Sequence, residues 1–264
     1  MQYKDFEIID FHIHPFLNEK SNICSHKTYC GMSPEGAKKT FDGLGVSRVC
    51  GSVITMGKSV AGKNVWERIQ NDNRIALELR DYYGGFYIPG FHVHPDYVDE
   101  SVTEIRRMHE LGVHLIGEIC PYAYEWTDYS CENFSVILDE AEKYGMVVSF
   151  HSMGEDEMDE MVRRHPGVVF VAAHPGEYGA FMRHMDRMKL SENYYLDLSG
   201  YGIFRHGMLK HAVDEFGAER FLFGSDYPTC NPAMYLGGVL LDDLISDAEK
   251  ELIFAGNAKR LLKL

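Results

Sequence analysis

The sequence predicts an α/β chain folded as a single-domain (β/α)8 TIM barrel over residues 1–264. Three observations lead there. Gly45, Gly112, Gly145 and Gly217 each separate a helical-looking stretch from an apolar run, the place of a left-handed residue that closes a helix before a strand. Their spacings of 67, 33 and 72 residues fit two, one and two units, each of roughly 33 to 36 residues, as expected for a strand plus crossover helix. Filling in the apolar runs gives strands at 6–14, 46–55, 86–92, 113–119, 146–151, 167–174, 194–199 and 220–226. Eight such strands close most economically into a barrel, with an open doubly wound sheet as the competing arrangement.

The elements follow in order. Strand 1 runs into His12-Ile13-His14, and Pro15 ends its ladder. Ser33-Pro34-Glu35 supplies an N-cap, a first-turn proline and an acidic residue at the positive end of a helix dipole, so the first helix opens there. Phe134, Ile137, Leu138 and Ala141 form an apolar stripe between strands 4 and 5. The longer connections, 15–33 and 119–133, follow strands 1 and 4 and belong to the catalytic rim. No Pro/Gly/Ser-rich linker or charge block divides the chain, which argues against a second domain.

Composition narrows the function classes. A net charge of −14 disfavours nucleic acid and anionic membrane as partners, since both are bound through clustered Lys and Arg. A small molecule is the expected partner. The start of the chain has no apolar signal stretch and no window approaches a membrane span, so a cytoplasmic location is expected. Six cysteines without a Cys-Xaa-Xaa-Cys pair suggest reduced thiols and no zinc knuckle.

On a strand, residues i and i+2 face the same side, so His12 and His14 can chelate one ion. The other strand ends carry metal-ligand types as well. Glu118 ends strand 4, His151 strand 5, His174 strand 6 and Asp226 strand 8. Singly each has an ordinary explanation, as a hydrogen-bonded barrel histidine, a salt-bridge partner or a turn cap. Jointly, four histidines and two carboxylates after apolar runs point to a divalent-metal centre with an open position for water. Zinc is the first expectation, one ion or two, with manganese, iron or cobalt also suited to these ligands.

The motifs IIDFHIHP, SFH, AAHPG, FGSDYP and IFAGNAKRLLKL resemble the amidohydrolase superfamily over nearly the whole chain. The likeness is to the amidohydrolase-2 type, which includes aminocarboxymuconate-semialdehyde decarboxylase-like enzymes. The resemblance implies that His12, His14, His151 and Asp226 bind metal, and that His174 either binds a second ion or polarises the substrate. A carboxylate on strand 4 bridges two ions in the binuclear members, and Glu118 stands at that place. A homodimer is a further implication.

The chemistry expected from this is hydrolysis of an amide or lactone bond in a small carboxylated molecule by metal-activated water, with Asp226 moving the proton and His174 stabilising the oxyanion. A metal-dependent non-oxidative decarboxylase or hydratase is the alternative, and a non-catalytic metal- or ligand-binding barrel the third reading. Lys58, His92, Tyr122, Tyr124, Tyr201 and Arg205 are the candidate substrate contacts, since they follow strands on the same rim. His92-Val93-His94 repeats the metal-pair pattern on strand 3. Gly57 to Asn64 nearly spells a phosphate-binding loop, but Asn64 stands where a magnesium-binding Ser or Thr is needed.

Overall fold

Short runs rich in Val, Ile, Leu and Phe make the strands, each too short for a helix and bounded by glycine or a polar turn. In the computed structural model they are β1 (Ile8–Asp10), β2 (Val46–Ser52), β3 (Tyr87–Phe91), β4 (Leu115–Ile119), β5 (Val147–His151), β6 (Val169–Ala173), β7 (Tyr194–Asp197) and β8 (Phe221–Leu222). The structure describes residues 5–19, 22–24, 33–56, 61–202 and 205–264. Neighbours in sequence are neighbours in the sheet, all parallel, in the order β1 to β8.

Beyond Asp10 the chain stays extended but divides its hydrogen bonds between two partners. Ile13 N–H donates to Cys50 O at 2.9 Å, while Phe11 and His14 N–H donate to Phe223 O and Tyr227 O at 2.8 and 2.6 Å. Ile13 also pairs in parallel with Tyr227. These bonds join the two ends of the sheet into a barrel. They also make β1 shorter than the expected 6–14, because residues 11–14 straddle β2 and the segment after β8.

Between the strands lie α1 (Pro34–Gly43), α2 (Val65–Tyr83), α3 (Val98–Glu110), α4 (Glu132–Lys143), α5 (Glu155–Arg164), α6 (Tyr178–Leu190) and α7 (Met208–Phe216). After β8 come α8 (Pro232–Leu240), α9 (Asp247–Glu251) and α10 (Asn257–Leu262). The four joint glycines all have positive φ, as a helix-ending residue requires. The regular period is corrected, however. The span from Gly145 to Gly217 holds three βα units and not two, because α5 and α7 have only 10 and 9 residues against 19 in α2.

Ser33 caps α1 through a bond from Gly36 N–H at 3.2 Å, as its sequence predicts. Asn64 caps α2 in a reciprocal arrangement with Glu67. The near-match to a phosphate loop therefore ends in an ordinary capping box. Lys58 lies outside the described residues.

Alternation along the strands creates two cores. The larger fills the space between strands and helices. The smaller sits inside the barrel, where Ile9, Cys50, Leu115, Val147, Val171, Tyr195 and Leu222 pack with Ala255, Ala258 and Leu262. The C-terminal segment thus plugs the bottom of the barrel. Asn257 fastens it by donating to Ala218 O and Phe221 O at 2.8 and 2.7 Å. The opposite, C-terminal mouth is left for chemistry. Among the described residues, no helix is long and apolar enough to cross a membrane.

Candidate metal centre

The extended segment after β1 aims His12 and His14 inward, with their Nε2 atoms 3.3 Å apart. Their other nitrogens fix the tautomers. His14 Nδ1 donates to Ser52 O at 3.0 Å, and His12 Nδ1 donates to Asp197 Oδ2 at 2.9 Å. Both Nε2 atoms therefore face the centre, the arrangement by which outer partners orient metal-binding imidazoles. Gly51, at φ 144°, makes the approach feasible, since a Cβ there would stand 1.9 Å from Ile13 O.

Glu118 occupies the middle of the cluster. Its Oε2 lies 3.3 and 3.2 Å from Nε2 of His12 and His14, and its Oε1 lies 3.0 Å from His151 Nδ1 and 3.5 Å from His174 Nε2. Asp226 Oδ1 stands 3.8 and 3.5 Å from the first two imidazoles. His174 and Asp226 both adopt positive φ, 72° and 57°, a conformation non-glycine residues hold only where surrounding contacts enforce it. Ser199 Oγ links the two halves, 2.9 Å from His12 Nδ1 and 3.2 Å from His174 Nδ1.

Electrostatics favour a cation here. Burial alone would lower the His12 pKa, but Asp197 and Glu118 outweigh it and hold the imidazole well above its usual range. Burial opposes charge on Glu118 as well, yet His12, His14 and His151 keep its carboxyl well below the usual range. His174 is pushed down by burial despite the nearby carboxylates. Three buried carboxylates, Glu118, Asp197 and Asp226, thus lie among imidazoles, with no Lys or Arg among the described residues that line the cavity. The residues fit a divalent ion: His12, His14 and Glu118 offer ligand atoms within 4.8 Å of one another, as atoms that share a shell at about 2.0–2.2 Å must be.

A cavity of about 460 Å³ opens over this cluster, lined by His14, Glu118, His151, His174 and Asp226. Ile23, Cys24, Met56, Tyr122, Tyr201, Thr229 and Cys230 complete its lining. The structure therefore brings together all six candidate ligands and two of the candidate substrate contacts. Tyr122 and Tyr201 are half exposed, with rings 5.1 Å from His151 and 6.3 Å from His174.

Three other candidates are not brought to the cavity. His92 is buried, and its Nε2 donates to Val53 O at 2.8 Å. Tyr124 is buried with its hydroxyl donated to Asp72 at 2.8 Å. Arg205 pairs with Glu177 at 3.3 Å and lines a separate apolar cavity beside Leu209 and Tyr235. His94, the other half of the repeated motif, donates Nε2 to Tyr124 O and accepts from Asp96 N–H.

Sequence reasoning missed Asp197 and Ser199. Their signal was present: in the run Tyr194-Tyr195-Leu196-Asp197-Leu198-Ser199, a carboxylate interrupts an otherwise apolar strand. Cys24 and Cys230 were also passed over as cavity residues.

Comparisons with known proteins agree with this fold. The Amidohydrolase family model matches residues 9–264. The chain is similar in structure to a 2,6-dihydroxybenzoate decarboxylase from Rhizobium, at 18% identity and a TM-score of 0.75, covering 100% of this chain and 99% of that one. An uncharacterized TIM-barrel protein from Bordetella bronchiseptica gives 18% identity and a TM-score of 0.73 over 98% and 99% of the two chains. A dihydroxybenzoic acid decarboxylase from Polaromonas, with bound manganese and the inhibitor 2-nitroresorcinol, gives 16% and 0.73 over 98% and 97%. No curated protein matches the chain significantly.

Proposed function

This chain belongs to the amidohydrolase family, and from that premise we propose that it is a metal-dependent, non-oxidative decarboxylase of a small hydroxylated aromatic carboxylate. One observation carries the choice. Among the described residues that line the cavity none is Lys or Arg, so the positive partners described there for a substrate carboxylate are the metal centre and its imidazoles. In a hydrolase of a carboxylated molecule the carboxylate would be a remote handle, anchored by a cation of its own. Of the candidates for that anchor, Arg205 is engaged by Glu177 in another cavity, and Lys58 lies outside the described residues. The carboxylate is therefore read as the reacting group. The similar solved structures named for dihydroxybenzoate decarboxylation support the same reading.

A divalent ion at His12, His14 and Glu118, with Asp226 at its edge, would supply Lewis acidity toward the substrate's oxygens. The remaining steps belong to the chain. Tyr122 and Tyr201 flank the cavity as aromatic walls for a flat ring. His174, held by Ser199, is placed to donate a hydrogen bond to a substrate oxygen. Asp226 takes a proton from solvent and delivers it to the ring carbon that bears the carboxylate. The bond from that carbon to the carboxyl carbon then breaks, its electron pair returns to the ring, and carbon dioxide leaves.

The test is a panel of hydroxybenzoates, amides and lactones given to protein loaded with manganese or with zinc, in deuterium oxide. Carbon dioxide release with deuterium at the vacated ring position supports the proposal. Hydrolysis of an amide or lactone without carbon dioxide overturns it. Hydrolysis is the second reading, favoured by the position of Glu118 between two pairs of imidazoles, where a bridging carboxylate would stand.

A further inference from the structure

We propose that Asp72, on α2 and outside the substrate cavity, is a positioning residue that sets where Met56 and Tyr122 stand in the cavity wall. Its carboxylate is buried and accepts hydrogen bonds from two loops at once. Oδ1 accepts from the Thr55 hydroxyl at 2.7 Å and the Asn71 amide at 3.3 Å, and Oδ2 accepts from Thr55 N–H at 3.1 Å and the Tyr124 hydroxyl at 2.8 Å. Thr55, in the loop after β2, precedes Met56, and Tyr124, in the loop after β4, follows Tyr122 by two residues. Met56 and Tyr122 both line the cavity.

The neighbours of Asp72 on α2 fasten the same loops and the one between them. Arg68, one turn earlier, donates to Ala123 O and to Glu125 Oε1, the latter at 2.9 Å. Asn73 clasps the backbone of His92, accepting from its N–H at 2.7 Å and donating to its O at 3.1 Å. His94 Nε2 closes the group by donating to Tyr124 O at 2.8 Å. The His92-Val93-His94 segment is thus part of a hub of hydrogen bonds behind the cavity wall. Buried directional bonds fix the place of a loop more narrowly than apolar contact does, and losing one leaves a buried donor unpaired.

The metal ligands lean on other supports. Asp197 and Ser52 O orient His12 and His14, and Ser52 Oγ donates to Glu118 O at 3.1 Å. Loosening the hub should therefore weaken the hold on a ligand while the ion stays.

The experiment compares manganese-loaded full-length wild type with Asp72→Ala, Tyr124→Phe and Asp72→Asn, by calorimetry with salicylate and by amide hydrogen exchange. Salicylate as the probe rests on the proposed function, whereas amide exchange does not. Asp72→Ala and Tyr124→Phe should weaken salicylate binding by about 3- to 10-fold, the scale of one net hydrogen bond, and keep the wild-type manganese content. They should exchange faster at 53–56 and 119–126 but not at 8–14 or 147–151. Asp72→Asn should stay near wild type in every readout, because its amide oxygen still accepts from Thr55 N–H and Tyr124 while the Thr55 hydroxyl turns to accept from the amide nitrogen. Unchanged salicylate affinity in Tyr124→Phe, manganese lost in step with salicylate, exchange raised uniformly, or an Asp72→Asn protein as impaired as Asp72→Ala or Tyr124→Phe overturns the proposal. Tyr124→Phe and Asp72→Asn decide the matter if Asp72→Ala does not fold. A wild type that binds no salicylate counts against the proposed function, and the exchange pattern then decides the positioning role alone.

Discussion

His12 Nδ1 and Asp197 Oδ2, 185 residues apart in sequence, lie 2.9 Å apart in the barrel, and that contact sets which nitrogen of His12 faces the metal centre. Replacing Asp197 by Asn removes the charge that raises the basicity of His12 while keeping the size of the side chain. The affinity for a divalent ion should fall roughly 10- to 100-fold, the usual effect of losing such a partner. Competition with a coloured chelator measures it directly. Unchanged affinity would remove Asp197 from the site.

Asp226 is assigned proton delivery, and His12, His14 and Glu118 offer the ion a ligand set without it. Asp226→Asn should therefore keep most of its metal and its melting temperature yet lose turnover by roughly 100- to 10,000-fold, the range attributed to a positioned acid or base. Metal analysis and carbon dioxide release on the same preparation separate the two effects. A variant that decarboxylates at the wild-type rate would refute the role.

The contrast between two similar motifs explains how far the sequence could be read. His12-Ile13-His14 and His92-Val93-His94 share spacing and a following proline, and both follow apolar strands. What separates them is not local. His92 and His94 give their Nε2 protons to the carbonyls of Val53 and Tyr124, whereas His12 and His14 hold Nε2 free for the centre because Asp197 and Ser52 take their Nδ1 protons. Strand ends could be inferred because hydrophobic runs and joint glycines are local signals. The same locality placed Glu118, His151, His174 and Asp226 on one rim. Asp197, whose meaning lies in a partner from the far end of the chain, left only a polar break in an apolar run. Unit length failed in the second half of the barrel, since α5 and α7 are shorter than a uniform repeat allows.

His184 offers a pH prediction away from the metal ligands' own chemistry. It is fully buried, with Nδ1 2.7 Å from the Tyr194 hydroxyl, and burial followed by the charge of Arg187 lowers its pKa to about 3. In the unfolded chain the same imidazole titrates near its ordinary value of about 6.5. Between these values the unfolded state binds the proton and the folded state does not. Stability from this group is thus complete above pH ~6.5 and falls as pH drops toward 3, by up to about 1.4 kcal/mol per pH unit. Denaturant melts of the metal-free protein across that window should slope less steeply in His184→Gln. Parallel slopes would contradict the assignment.

Gly200 ties backbone conformation to the position of His174. Its φ is 70°, and a Cβ built there would stand 2.0 Å from His174 Nδ1 and 2.6 Å from the neighbouring ring carbons. Alanine would meet two penalties at once. The left-handed backbone disfavours any side chain, and the imidazole would have to swing away from Ser199, to which its Nδ1 now lies at 3.2 Å. Gly200→Ala should lower stability by about 1 kcal/mol or more. It should also reduce kcat more than KM, because a displaced His174 can no longer steady the charge that grows on a substrate oxygen during reaction. Thermal melts and steady-state kinetics on one preparation check both consequences. A Gly200→Ala protein with wild-type kcat would mean that the His174 ring is not held by this contact, and that its place in the reaction must be sought elsewhere.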